Sequence, residues 1–346
     1  MKVKMEYGSD FSIELGNLTC TKDNIFNYLK QFHSLYFDSG RSATKYLLSF
    51  IPVKYIALPE YLCESIVDCF PDVKKYYYSV NDSFEIEELE KIPWDQIDTF
   101  YLLHYFGSLQ PENVLKFIDE KRKKYQFCII EDTTHSIFTK SVTIGDYCIA
   151  SIRKWFPVPD GGILYSQKSL DESGYNRLSE IQSNRIEAMV LKNLYLKNVV
   201  KEKKIFREIF EQTENNFDKQ INVYRMSAIS MFILHCQEIR KSIDRRKKNH
   251  LLLSKKIRDI LPEIIDRKET DIPFTYITKV DDRDQLRDYF NKNSVYCPVH
   301  WPFPACWPVN SSIEISKRVI SIPIDQRYCE SEVIRVAQIV RGFYNE

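Results

Sequence analysis

The residue patterns that bind metal or staple extracellular domains are missing from this sequence. Its nine cysteines are scattered, none forms a Cys-x-x-Cys pair, and their number is odd. That argues against a zinc site or a disulfide framework and for a reducing cytosol, so a cytoplasmic protein is expected. The six histidines are dispersed and suggest no metal cluster. No apolar run reaches bilayer length, and the polar, acidic N-terminus does not read as a signal peptide. An excess of one charge is also lacking. Lys and Arg number 49 against 48 Asp and Glu, a formal net charge of +1. No global field therefore favours nucleic acid or a membrane. Basic runs at 201–204 and 245–248 have acids close by and read as solvated helix faces. There is no internal repeat, low-complexity tract or long flexible linker.

What is present fits a globular enzyme-sized chain. Its 346 residues suffice for one large domain with a smaller one attached, and 44% hydrophobic content is ordinary. From the start, the pattern predicts a helix at 22–32 and an amphipathic run at 44–50. Strands are predicted at 55–58, 74–80, 99–104, 127–130, 147–152 and 163–165, with helices at 60–69, 84–92 and 111–125 between them. Short apolar runs alternating with helices imply an α/β fold with a largely parallel sheet covered on both faces. Beyond Gln167 the chain reads as mostly helical to about Gln220. One long helix follows at 228–260, and then a smaller α/β part. That part holds strands at 273–280 and 319–322, helices at 283–293 and 331–343, and an aromatic loop at 300–307. The loop either caps a cleft or is simply rigid.

Ligands of open parallel sheets sit at the carboxyl ends of strands. His104, Asp132, Ser151 and Lys154 all fall at or just beyond predicted strand ends. Lys154 lies between an apolar strand and the turn Pro157-Val158-Pro159-Asp160-Gly161-Gly162. Packed surroundings there would desolvate its ammonium and lower its pKa, as a Schiff-base amine needs. A solvated surface lysine reads the same way. In Asp38-Ser39-Gly40-Arg41-Ser42-Ala43, Gly40 permits a tight turn and Ser42 opens a helix. A helix N-terminus suits a phosphate, although an ordinary serine cap has the same signature.

These segments together resemble the DegT/StrS (DegT/DnrJ/EryC1/StrS) sugar aminotransferases, a family of fold type I pyridoxal-phosphate enzymes. Ser39-Gly40-Arg41-Ser42-Ala43 is similar to the family's phosphate turn, and Leu103-His104-Tyr105-Phe106-Gly107 to its His-Leu-Tyr-Gly segment. Ile130-Glu131-Asp132-Thr133-Thr134-His135 resembles Ile-Glu-Asp-x-Ala-His. Ser151, Lys154 and Gly161-Gly162 resemble the Schiff-base segment, and Tyr224-Arg225-Met226-Ser227 resembles Asn-Tyr-Arg-Met-Ser.

The resemblance implies a large cofactor domain over 1–225 and a small one over 226–346, with 1–37 packing on the small domain. It implies pyridoxal 5′-phosphate as cofactor, with Lys154 as catalytic amine and Asp132 on the ring nitrogen. His135 lies near the ring's 3-oxygen, and Gly40, Arg41, Ser42 and Ser151 take the phosphate. It further implies a homodimer with a shared site, and amino transfer from glutamate to a nucleotide-linked keto sugar, in surface polysaccharide or secondary-metabolite biosynthesis. The alternatives are a fold type I enzyme acting on another amine or amino acid, and a catalytically silent binding protein.

Three departures qualify the inheritance. Two residues separate Ser151 from Lys154 where the family has four, and Arg153 is placed to share the phosphate charge. Cys63 stands at the usual ring-stacking position, which leaves Tyr61 or His104 to cover the ring. Val223 replaces the asparagine that reaches the partner's phosphate, which leaves Asn222, Tyr224 or Arg225 for that contact. His104 otherwise reads as a core histidine.

Overall fold

A computed structural model describes residues 4–14, 16, 18–174, 177–303 and 311–345. Its main strands in chain order are β1 (His33–Phe37), β2 (Tyr55–Pro59), β3 (Lys74–Tyr78), β4 (Thr99–Leu103), β5 (Cys128–Asp132), β6 (Tyr147–Ser151), β7 (Gly162–Ser166), β8 (Tyr276–Lys279) and β9 (Val319–Ile322). The main helices are α1 (Gly40–Leu48), α2 (Glu112–Tyr125), α3 (Ile181–Leu196), α4 (Lys204–Lys219), α5 (Ala228–His235), α6 (Ile239–Ile257), α7 (Arg283–Lys292) and α8 (Glu330–Asn345). The chain forms two compact units.

The first unit comprises Asp10–Pro52 and Tyr147–Arg240 with a short N-terminal piece. Its strands run β1-β7-β6, antiparallel throughout, with Phe37 opposite Gly162 and Ser151 opposite Gly162. β1 was not expected, and it extends the sheet where the pattern had only a helix. That helix is a single turn, Ile25–Tyr28, capped by Asn24, whose side chain accepts from Asn27 N at 3.0 Å. α4 buries Phe206, Phe210, Thr213 and Phe217, a stripe at helical spacing. Phe206 packs on Tyr195 of α3 with ring centroids 5.4 Å apart. The long helix expected at 228–260 is broken into α5 and α6. Asp23 is the cause. Its carbonyl accepts from Ile239 N at 3.0 Å and its carboxylate from Arg240 N at 2.8 Å, so it caps a new helix start.

The second unit comprises Tyr7–Ser9, Val53–Asp146 and a C-terminal part from Lys241. Its strands run β5-β4-β2-β3, all parallel, as expected for the α/β alternation. β4 is buried along its whole length, which explains its unbroken apolar reading. The helix expected at 84–92 is absent. Phe84 and Glu88 adopt left-handed backbone, at φ 63° and 52°, and only a 3₁₀ turn remains at Leu89–Lys91. In the C-terminal part, β8 and β9 pair antiparallel beneath a core of Leu253, Ile257, Leu286, Phe290, Val336 and Val340. Tyr7–Gly8 pairs with Val295–Tyr296, so part of the N-terminal segment packs on that portion. The remainder through β1 lies in the first unit. Of the aromatic loop, 304–307 lies outside the described residues.

Candidate active site

In the first unit, the sequence motifs converge on the start of α1. Ser39 is its N-cap, and the side chain accepts from Ser42 N at 3.1 Å. Gly40 and Arg41, in the first turn, have no intrahelical acceptor for their N–H groups. Such a turn takes an anion well. The Gly-Gly pair explains itself here. A Cβ on Gly162 would lie 2.0 Å from the Ser39 carbonyl oxygen and 2.7 Å from Gly40 N. Only glycine lets β7 pass so close to the turn. A Cβ on Gly40 would lie 3.5 Å from the Ser151 Cβ, so Ser151 stands beside the helix start.

Several residues around this turn gave no sequence signal. Gln220 donates to the Asp38 carboxylate at 2.9 Å and to the Ser42 hydroxyl at 3.1 Å. Burial pushes the Asp38 carboxyl up against hydrogen bonds from Ser42, Gln220 and Ser39. Glu214 of α4 gathers three arginines. Arg41 approaches it at 3.2 Å, Arg153 at 3.1 Å and Arg185 at 3.1 Å. Arg41 also pairs with Asp218, and Arg153 lies over the Phe217 ring at 4.5 Å. Burial would raise the Glu214 carboxyl, but the guanidinium charges outweigh it and hold it well below the carboxylate range. The Arg41 and Arg153 side chains are thus committed to α4 carboxylates. Any anion contact from Arg41 at this turn comes from its backbone N–H.

β6 delivers Ser151, and a 3₁₀ turn over Ile152–Lys154 follows. Trp155 N and Phe156 N bond back to Ile152 O at 3.0 and 3.2 Å, and Ile152, Trp155 and Phe156 are buried. Lys154 itself is exposed, so the desolvated setting expected for it is not found in the single chain. Its anchored neighbours fix the backbone and leave the amine reachable. The turn beyond is tied down by Asp160. That carboxylate accepts from Ser227 N at 2.9 Å, from the Ser227 hydroxyl at 2.8 Å and from the Ser230 hydroxyl. Burial pushes its carboxyl up to about 6 in spite of them.

The Tyr224–Met226 segment runs along β1. Asp38 N donates to Tyr224 O at 3.0 Å, and Met226 N to Tyr36 O at 2.9 Å. Arg225 and Asn222 are exposed, and Asn222 bonds to Arg177 and Tyr224 at 3.3 and 3.4 Å.

In the second unit, Asp132 ends β5. Its carboxylate accepts from Tyr101 Oη at 2.8 Å and from Thr134 N at 2.8 Å. Each oxygen keeps lone-pair capacity for a further donor, such as a protonated ring nitrogen. Burial, and then Asp132, holds the Tyr101 phenol well above its ordinary value, so it stays a donor. His135 is buried between the rings of Phe274 and Trp301, at 4.3 and 5.7 Å, and its Nδ1 accepts from Phe106 N at 3.4 Å.

His104 is a core histidine. It is fully buried, its Nδ1 accepts from Gln110 N at 3.0 Å, and its Nε2 lies 3.2 Å from Glu131. Tyr61 is also sealed, at 0% exposure among Phe84, Tyr105 and Trp301. Neither ring presents a face to solvent, whereas Cys63 is half-buried at the start of the Glu64–Val67 helical turn.

No family model and no curated protein matches the sequence. Solved structures do match the fold. The chain is similar to Helicobacter pylori PseC, an aminotransferase involved in the biosynthesis of pseudoaminic acid. That likeness has 13% identity and a TM-score of 0.66, over 98% of this chain and 99% of that one. It is similar to a DegT DnrJ EryC1 StrS aminotransferase from Brucella abortus, with 14% identity, a TM-score of 0.64, and 93% and 88% of the two chains covered. It is also similar to NtdA from Bacillus subtilis, solved with the cofactor PMP bound. There the identity is 16% and the TM-score 0.61, over 93% of this chain and 75% of that one. The fold is therefore that of the aminotransferases of this class, a fold type I α/β architecture with a mostly parallel sheet.

Proposed function

We propose that the chain is a pyridoxal-phosphate-dependent aminotransferase that moves an amino group from glutamate onto a nucleotide-linked keto sugar. The observation that carries the reading is the close fit of Gly162 against Ser39 and Gly40, beside the strand leading to Ser151 and Lys154. It explains why a helix N-terminus, a serine, a lysine and a glycine pair occur together. Two neighbours are described as aminotransferases and a third was solved with the cofactor PMP bound, which supports the same cofactor.

The residues present fit that group. The backbone N–H groups of Gly40 and Arg41, with Ser42 and Ser151 nearby, hold its phosphate. Asp132, oriented by Tyr101 and Thr134, holds a proton on the ring nitrogen. His135 lies near the ring's 3-oxygen in this reading. When bound, the cofactor supplies an aldehyde that captures amines and a ring that accepts electrons. Lys154 would provide the resident amine and would take up and return the proton of the substrate carbon that bears the nitrogen. The division into a large domain, 1–225, and a small one, 226–346, belongs to the same reading. So does a cytoplasmic homodimer whose partner receives Asn222, Tyr224 or Arg225. No described helix is long and apolar enough to cross a membrane.

The test is direct. Purified protein is titrated with pyridoxal phosphate, reduced with borohydride and digested. The label is expected on Lys154, with an absorbance band in the visible before reduction. Glutamate with nucleotide-linked keto sugars is expected to yield 2-oxoglutarate. A label on another lysine, or no uptake at saturation, overturns the assignment. Uptake with no activity on any keto sugar, but turnover of another amine, overturns only the substrate class.

A further inference from the structure

We propose that Cys20 and Cys236 form a redox-sensitive thiol pair that an oxidant of the glutathione-disulfide class closes into a disulfide. The two are free thiols here, 216 positions apart in sequence, with their sulfurs 3.8 Å apart. A disulfide needs about 2.0 Å, so closure asks for a small side-chain movement.

The approach is built by the backbone. Thr21 N donates to His235 O at 2.8 Å, which sets the two chains side by side one residue from each sulfur. Asp23 caps α6 through Ile239 N and Arg240 N, at 3.0 and 2.8 Å. The Phe26 ring stacks on His235 at 4.2 Å. The segment bearing Cys20 is therefore held along the break between α5 and α6, where Cys236 lies. Cys20 is exposed and Cys236 half-buried, so a small oxidant reaches the pair. Cys69, Cys148 and Cys297 are buried.

The step balances in two exchanges. The Cys20 thiolate attacks one sulfur of glutathione disulfide, forming a mixed disulfide and releasing one glutathione thiolate. Burial, with Cys20 beside it, pushes the Cys236 thiol up, so Cys236 serves as the resolving group. Its thiolate attacks the Cys20 sulfur and releases the second glutathione. Two cysteine thiols are oxidised and one glutathione disulfide is reduced to two thiols. The link pins the C-terminal end of α5, whose N-cap Ser227 is already bonded to Asp160 at 2.8 Å. It also closes a long loop, which restricts the unfolded chain.

The full chain is incubated with increasing glutathione disulfide until the exposed Cys329 is modified, then quenched, digested and analysed by mass spectrometry. A Cys20–Cys236 peptide is expected, reversed by dithiothreitol, with a higher melting temperature in the oxidised form. Cys236→Ser is expected to trap a stable glutathione adduct on Cys20 that the wild type does not accumulate. Two separate adducts on wild-type Cys20 and Cys236, or modified Cys329 with both thiols still reduced, overturn the proposal. Unchanged reduced-state melting of the serine variant shows that its folding is intact.

Discussion

The Tyr101 hydroxyl donates to the Asp132 carboxylate at 2.8 Å; both residues are buried, Tyr101 midway along β4 and Asp132 at the carboxyl end of its parallel neighbour β5. The hydroxyl orients the carboxylate, which in the proposed reading keeps the ring nitrogen protonated. Asp132→Asn is expected to bind cofactor but lose about a hundredfold or more in the amino-transfer half-reaction, ~2.7 kcal/mol. Tyr101→Phe preserves the ring and removes one hydrogen bond to a charge, roughly 1.5–3 kcal/mol. Its loss should be smaller than that of Asp132→Asn, with uptake intact. Single-turnover spectroscopy of the two variants checks the order. A Tyr101→Phe rate equal to wild type would remove Tyr101 from the site.

Gly162→Ala puts a methyl 2.0 Å from one backbone oxygen and 2.7 Å from a backbone nitrogen. Neither can move cheaply, because both belong to the capped turn that starts α1. Destabilisation of about 3 kcal/mol or more and loss of cofactor uptake are expected. Gly16→Ala, with nothing within 4 Å of the added carbon, is the control and should melt like wild type. Equal melting of the two variants would refute the close packing of β7 on the turn.

Much of this was legible in the sequence, and the failures share a cause. The parallel strands β2, β4 and β5 announced themselves because each holds a short apolar run, and β3 carries three tyrosines, a residue enriched in strands. Gly161-Gly162 marked a close approach without saying to what. The residues that organise the site from behind were silent. Tyr101 looks like one more buried aromatic until the register sets Leu103 opposite Asp132. Glu214 acts on Arg153, 61 positions away, and Gln220 on Asp38, 182 positions away. Asp23 breaks the helix expected at 228–260 from 216 positions upstream of Ile239, and no local glycine or proline betrays it. Phe84 and Glu88 defeat the helical pattern by backbone conformation, which composition does not encode.

Two carboxylates give opposite slopes of stability with pH. Asp160 is raised by burial from 3.8 to about 6, so folding favours its protonated form. Its contribution is full below about pH 4 and is lost as pH rises through about 6. Glu214 is lowered by Arg153, Arg185 and Arg41 against its burial, so its contribution is present above its ordinary 4.5 and is lost as pH falls. Denaturant melts from pH 4 to 7 on wild type, Asp160→Asn and Glu214→Gln separate them. The stability lost by wild type between pH 4 and 6 relative to Asp160→Asn should be visible. Parallel curves would show that Asp160 titrates normally.

Glu214→Ala leaves the Arg41, Arg153 and Arg185 side chains, only 10–12% exposed, without their shared carboxylate. Breaking a buried pair costs about 3–5 kcal/mol, but Glu214 is 45% exposed and water screens part of the loss. About 2 kcal/mol is expected from denaturant melts, together with weaker uptake of pyridoxal phosphate as the α1 start loosens. A melt within 0.5 kcal/mol of wild type, on the order of an ordinary surface substitution, would reduce the cluster to surface pairing.

The last expectation concerns assembly. Arg225 is exposed on a segment fixed against β1 by Met226 N to Tyr36 O at 2.9 Å, and it bridges Leu178. Exposed apolar residues flank it, Ile221 at 87% and Leu178 at 62%. An exposed guanidinium with apolar neighbours suits a subunit contact, and Arg offers a bidentate grip on an anion that Lys does not. In the proposed homodimer this segment reaches the partner's cofactor phosphate. Lys154→Ala and Arg225→Ala chains, each inactive, are mixed under conditions of subunit exchange. A site drawing Arg225 from the partner leaves one intact site in each mixed dimer, so part of the activity returns. If Arg225 serves its own chain's site, every site in the mixture carries a lesion and none returns. A monomer by sedimentation at micromolar concentration would exclude sharing altogether.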